Sequence, residues 1–138
     1  MTRPTRWRWR YARRTHVIYN INFMCEVYKI PEGKIIIIHS DKKFSFGLLE
    51  LNPKKELALH NRPVAEELMQ IYGSSIIKIF GNKNERNIKL DKNKKIKIPA
   101  KQYHIHSNPT NKKSITLWKF NGDIMKIITE IRKNKLTH

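Results

Sequence analysis

Two short stretches of this chain concentrate the side chains able to bind an ion or move a proton. The first runs Leu59-His60-Asn61-Arg62-Pro63-Val64-Ala65-Glu66-Glu67-Leu68-Met69-Gln70-Ile71-Tyr72-Gly73, the second Pro99-Ala100-Lys101-Gln102-Tyr103-His104-Ile105-His106-Ser107-Asn108. Imidazole and carboxylate are the donors that hold divalent Fe, Mn, Zn or Ni, and two His with one carboxylate leave positions open for water or substrate. On an extended strand Glu66, Leu68 and Gln70 share one face, opposite Glu67 and Met69, and His104 and His106 likewise point together, away from Tyr103. Arg62 cannot coordinate, because a guanidinium stays protonated and offers no lone pair. It can anchor a ligand's carboxylate or phosphate, or it can pair with Glu66 and fill the space of a metal.

Groups so far apart in the chain meet only if the elements between them fold back on one another. From residue 25 on, segments rich in Ile, Val, Phe and Tyr alternate with Gly, Asn, Asp, Pro and Lys clusters, which predicts successive strands. The strands expected are 25–28, 34–39, 44–51, 56–59, 66–72, 75–80, 85–90, 95–98, 103–107 and 114–120, with turns at Asn52-Pro53, Gly73-Ser74, Gly81-Asn82 and Asp91-Lys92-Asn93. Many short strands at even spacing favour a sandwich or barrel. Ile124, Ile127, Ile128 and Ile131 recur at helical spacing behind the N-cap candidate Asp123, so a short amphipathic helix is expected to end the chain.

The two stretches resemble the paired signatures of the cupin superfamily, G-x5-H-x-H-x3,4-E-x6-G and G-x5-P-x-G-x2-H-x3-N. The likeness covers about residues 34 to 122 and holds register without a gap. It implies an all-β, cupin-like jelly roll β-barrel with the short C-terminal helix beside it. His60, Glu66 and His104 then fall on metal ligands, Gly73 on the turn glycine, and Pro99 and Asn108 on the second block's Pro and Asn. Arg62 falls on the remaining ligand His, while Asn93 and Lys101 replace glycines. The resemblance therefore implies a divalent metal of unknown identity; the residues themselves add His106, on the strand face of His104, as replacement ligand or hydrogen-bond partner, and Arg62 and Gln70 as contacts to a small polar or anionic metabolite. It names no reaction, because isomerases, dioxygenases, decarboxylases and ligand sensors share the fold. It also implies a homodimer, for which the apolar run Ile35 to Ile38 is either an interface or simply core. His39 lacks positional support, and His16 and His138 lie in the tails.

At 138 residues the length suits one domain, and one cysteine excludes a disulfide framework, so a reducing compartment, the cytoplasm, is expected. No apolar run approaches the roughly 20 residues that span a bilayer. The formal charge of +18 invites a nucleic-acid reading, but residues 1–23 hold six Arg, no Lys and no acid, whereas the rest is rich in Lys, Ile and Asn. Two units follow: a basic arm over 1–23, disordered or extraneous to the fold, and the barrel domain over 24–138. Three functions stand in order. First is a metal-dependent cupin acting on or sensing a small ligand, then a metal-free cupin module for an anionic molecule. A basic nucleic-acid-binding protein is the third, and nucleic acid is not the expected partner.

Overall fold

The computed structural model describes residues 13–20, 23–81 and 83–126. Among the described residues eleven strands follow one another: β1 (Arg13–Asn20), β2 (Phe23–Ile30), β3 (Gly33–Ser40), β4 (Phe44–Leu51), β5 (Lys55–Glu56), β6 (Glu66–Tyr72), β7 (Ser75–Phe80), β8 (Glu85–Leu90), β9 (Lys95–Ile98), β10 (His104–Asn108) and β11 (Ser114–Asn121). They form a seven-stranded sheet in the order β1-β2-β3-β4-β11-β6-β9 and a four-stranded sheet in the order β5-β10-β7-β8. Every pairing is antiparallel.

Alternation of side chains makes the two sheets one body. Leu49 and Leu51 of β4, Leu68 of β6, Ile77 and Ile79 of β7, Leu90 of β8, Ile98 of β9, and Trp118 and Phe120 of β11 are buried in a single core cluster. The isoleucine run divides by parity: Ile35 and Ile37 are buried in this core, and Ile36 and Ile38 are half-buried between them.

Two expectations shift. The strand expected over 56–59 is only Lys55–Glu56, because the chain then leaves the ladder and returns to it as one bridge, His60 to His104. The compositional break near residue 24 is not where the sheet begins: β1 pairs with β2 from Arg13↔Lys29 to Asn20↔Phe23. The β-branched and aromatic residues Val17, Ile18 and Tyr19 suit a strand whatever the arginine content around them. Residues 1–12, with Arg3, Arg6, Arg8 and Arg10, lie outside the described residues.

A helical turn starts at Ile124, which is buried, and Asp123 Oδ1 accepts the Met125 amide at 2.9 Å, as an N-cap does. Ile127, Ile128 and Ile131 fall outside the described residues. Among the described residues no helix is long and apolar enough to cross a membrane.

Candidate metal centre

The loop between β5 and β6 brings His60 to β10, where His60 N donates to His104 O at 3.1 Å and His104 N to His60 O at 2.9 Å. This exchange sets the two imidazoles next to each other, ring centroids 4.3 Å apart and planes inclined at 59°. Both rings are anchored in the same way. His60 Nδ1 lies 2.8 Å from Ala58 O and His104 Nδ1 2.9 Å from Gln102 O. A carbonyl only accepts, so each Nδ1 carries the proton and donates it. In the neutral ring the lone pair then sits on Nε2, the arrangement that metal-ligating His adopts. Burial, then the neighbouring His104 and Arg62, pushes the pKa of His60 well below its usual value and keeps that ring neutral.

Glu66 opens β6 with its side chain inward and buried, and its Oε1 lies 3.6 Å from His104 Nε2. Two ligand atoms each about 2.1 Å from a tetrahedral ion are about 3.4 Å apart, so this separation suits one shared cation. Burial opposes ionisation of Glu66, but the Arg62 guanidinium and His104 outweigh it and hold the carboxyl well below the usual carboxylate range. Arg62 Nε sits 3.2 Å from the same Oε1, and its guanidinium carbon lies 5.5 Å from the centre of the Phe120 ring. The inward pair Arg62–Glu66 is therefore formed.

The donor types, the Nδ1 anchoring of both rings and the neutral His60 fit a divalent ion. Closure does not: among the described residues no three His, Cys, Asp or Glu side chains stand as a complete ligand set, and Glu66 Oε1 is shared with Arg62. The enclosed cavity is small, about 30 Å³, and is lined by His60, Arg62, Glu66, His104 and His106 among apolar residues that include Ile124. That is room for about two waters.

The other predicted contacts are placed differently. His106 lines this cavity, but its Nε2 lies 3.2 Å from Thr116 Oγ1, whose own proton goes to Gln70 Oε1 at 2.9 Å. His106 Nε2 must therefore donate, which turns that nitrogen away from coordination; burial pushes its pKa down to about 4. Gln70 faces inward, as parity required, but sits deeper than the cavity. Its Oε1 accepts from Ser75 and Thr116, and its Nε2 donates to Ser114 Oγ and Tyr72 O, so the amide's bonds go to the fold. Side-chain parity reveals the face of a strand but not the depth along it. His39 lies at the surface against Asp41, 2.9 Å away, and apart from the site.

One structural signal extends the motif match. Among the described residues, three other than glycine have positive φ: Lys54 at 63°, Asn93 at 71° and Lys101 at 66°. They are three of the four positions at which the two patterns carry glycine, the fourth being Gly73, which also has positive φ; Lys54, six residues ahead of His60, was not picked out from the sequence. The backbone turn persists where its usual residue does not. Lys101 uses that turn to donate its amide to Arg62 O at 2.6 Å, tying the two motifs together.

No family model and no curated protein matches the chain. Solved structures do. An oxalate decarboxylase of Bacillus subtilis, described with Mn(II) centres, superposes with a TM-score of 0.63 at 19% identity over 69% of this chain and 27% of its own. A formate complex of Lactobacillus farciminis oxalate decarboxylase gives 0.63 at 20% over 72% and 31%, and vicilin of Corylus avellana gives 0.62 at 17% over 77% and 33%. The chain spans about a third or less of the length of these structures. Identity this low speaks to architecture alone, and the architecture held in common is the cupin jelly roll.

Proposed function

We propose that the chain is a cupin domain that binds a divalent metal ion through His60, His104 and Glu66 and takes a small polar or anionic ligand beside it. The observation that carries this reading is the separation of His104 Nε2 from Glu66 Oε1, 3.6 Å, with both imidazoles anchored through Nδ1. A bound divalent ion would supply Lewis acidity toward an oxygen of the ligand. The chain's own residues do the rest. Ala58 O and Gln102 O fix the rings, and apolar residues such as Leu68, Trp118 and Ile124 complete the cavity wall. Arg62 supplies a positive charge suited to a carboxylate. The small cavity admits only a very small guest beside an ion, and formate is the ligand named for one of the structural neighbours. No reaction is assigned.

Metal analysis of protein purified without chelator tests this reading. Wild type is expected to carry Fe, Mn, Zn or Ni above the background of His104→Ala, which loses most of it; equal, negligible metal in both would sink the proposal. A second reading, a metal-free module, is favoured by the contact of Arg62 Nε with Glu66 Oε1 at 3.2 Å, which puts a fixed cation where the resemblance expects a ligand. On that reading neither protein holds metal, and formate raises the melting temperature of wild type but not of Arg62→Ala. A homodimer through the outer face of the seven-stranded sheet, where Ile36 and Ile38 are half-buried, is part of the proposal.

A further inference from the structure

The carboxylate oxygen that a metal needs is already shared, and the group sharing it is held in place by contacts that have nothing to do with a metal. Arg62 Nε lies 3.2 Å from Glu66 Oε1, the same oxygen that lies 3.6 Å from His104 Nε2. The backbone of Arg62 is fixed by the Lys101 amide on its carbonyl at 2.6 Å and by the following Pro63. The guanidinium lies 5.5 Å from the centre of the Phe120 ring, itself stacked on Trp118 with centroids 5.5 Å apart. This aromatic platform attracts a cation whether or not a second one is present. The side chain is only 11% exposed, so its charge is poorly screened at the cavity.

We propose that Arg62 is a built-in competitor for Glu66, a fixed cation that weakens the hold of His60, His104 and Glu66 on a divalent ion and so makes metal binding exchangeable. The inference rests on the metal reading above and assigns a regulation to the same site. In the metal-free protein the guanidinium neutralises Glu66, so the centre survives without its ion. When an ion arrives, Glu66 Oε1 must turn from Arg62, which stays on Phe120, and the repulsion between the two cations limits the affinity. Arg62 is thus a positioning residue that sets metal affinity without touching the metal. A permanently loaded centre would have a neutral or donor group at this position; an exchangeable one has a cation.

The test uses the full chain and zinc alone, with affinity measured by chelator competition. Arg62→Gln, which removes the charge, is expected to bind zinc at least tenfold more tightly than wild type. Arg62→His, which adds an imidazole, should bind more tightly still. Arg62→Lys keeps the charge and should stay within about threefold of wild type. Equal or weaker affinity in Arg62→Gln and Arg62→His overturns the inference. Because loss of Arg62 strands a buried carboxylate and can unfold the variants, a wild-type measurement stands beside them. The Arg62 Nε–H resonance, identified by its absence from Arg62→Lys, should shift as zinc is added, with the midpoint of binding. A resonance unmoved despite bound zinc overturns the inference. The two proposals separate cleanly. Zinc on Arg62→His but none on wild type refutes the metal function and upholds Arg62 as the group that excludes metal. Equal affinity in both does the reverse. No zinc on either refutes both.

Discussion

Arg62 and Glu66 show how one side chain can change the meaning of a motif without breaking its geometry. Glu66 is buried and ionised, and its partners are Arg62 at 3.2 Å and His104 at 3.6 Å. Replacing it by Gln leaves a buried guanidinium without its carboxylate, a kind of change that costs about 3–5 kcal/mol. Glu66→Gln is therefore expected to lower the melting temperature sharply, and an unchanged melt would show that the pair is not structurally coupled. The histidines set a pH limit. Burial lowers the folded pKa of His106 to about 4 and drives that of His60 down as well, so the fold favours the neutral rings. A depressed folded pKa contributes stability that is present above the unfolded value and is lost as pH falls toward the folded value. For His106 alone the loss is on the order of 3 kcal/mol between about pH 6.5 and 4. Glu66, also depressed, adds a further loss at lower pH. Urea melts should show stability falling below about pH 6.5, with the His106→Asn variant falling less steeply.

Between residues and molecule stand the turns and pins that hold the motifs in register. Asn108 is fully buried. Its Nδ2 lies within bonding distance of Leu51 O at 3.1 Å, Asn52 O at 3.1 Å and Lys112 O at 2.7 Å, while its Oδ1 takes the Thr110 amide at 3.0 Å. One amide thus joins the end of β4 to the turn between β10 and β11. Asn108→Ala should cost about 3 kcal/mol, because several buried polar groups lose their partner together; thermal or urea unfolding measures it. Lys101 offers the opposite case. It is exposed, and its φ of 66° is strained for any residue with a Cβ. Lys101→Gly keeps the amide that reaches Arg62 and removes the strain, so it should stabilise the protein by about 0.5–1 kcal/mol. A destabilised Lys101→Gly would mean that its side chain has a role. Gly73 shows why its own position keeps glycine: with φ at 69°, a Cβ there would lie 2.5 Å from Lys113 O.

On the scale of the whole molecule, the core cluster draws its buried members from Ile30 onward, whereas β1 adds an outer strand to one end of the seven-stranded sheet. Under the proposal that residues 1–23 are dispensable, a chain starting at Met24 should retain the β-rich circular dichroism spectrum and melt close to the full chain. Loss of folding would show that β1 is integral. The same pair of proteins tests the dimer. Light scattering should give twice the monomer mass in both if the outer face carrying Ile36 and Ile38 forms the contact.

Much of this protein could be read directly. Strand after strand, the alternation of Ile, Leu and Val with Lys, Glu and Asn placed β3, β4 and β6 through β11 to within a residue or so, because side-chain period is a property of the local chain. The resemblance of the two motifs singled out His60, Glu66 and His104, and the fold sets all three in the lining of one cavity. The β1–β2 hairpin was hidden by composition: arginine content marks a change in residue usage, whereas strand pairing depends on shape and alternation. Depth was hidden too. Gln70 and His106 face the interior as their parity required, but only the packing of β6 against β11 and β10 against β7 shows that one is spent on Thr116, Ser114 and Ser75 and the other on Thr116. The choice between Arg62 as ligand anchor and Arg62 as partner of Glu66 also belonged to tertiary structure. Where a flexible cation settles is decided by the ring beneath it and the carboxylate beside it, and Phe120 stands 58 positions from Arg62 in the chain.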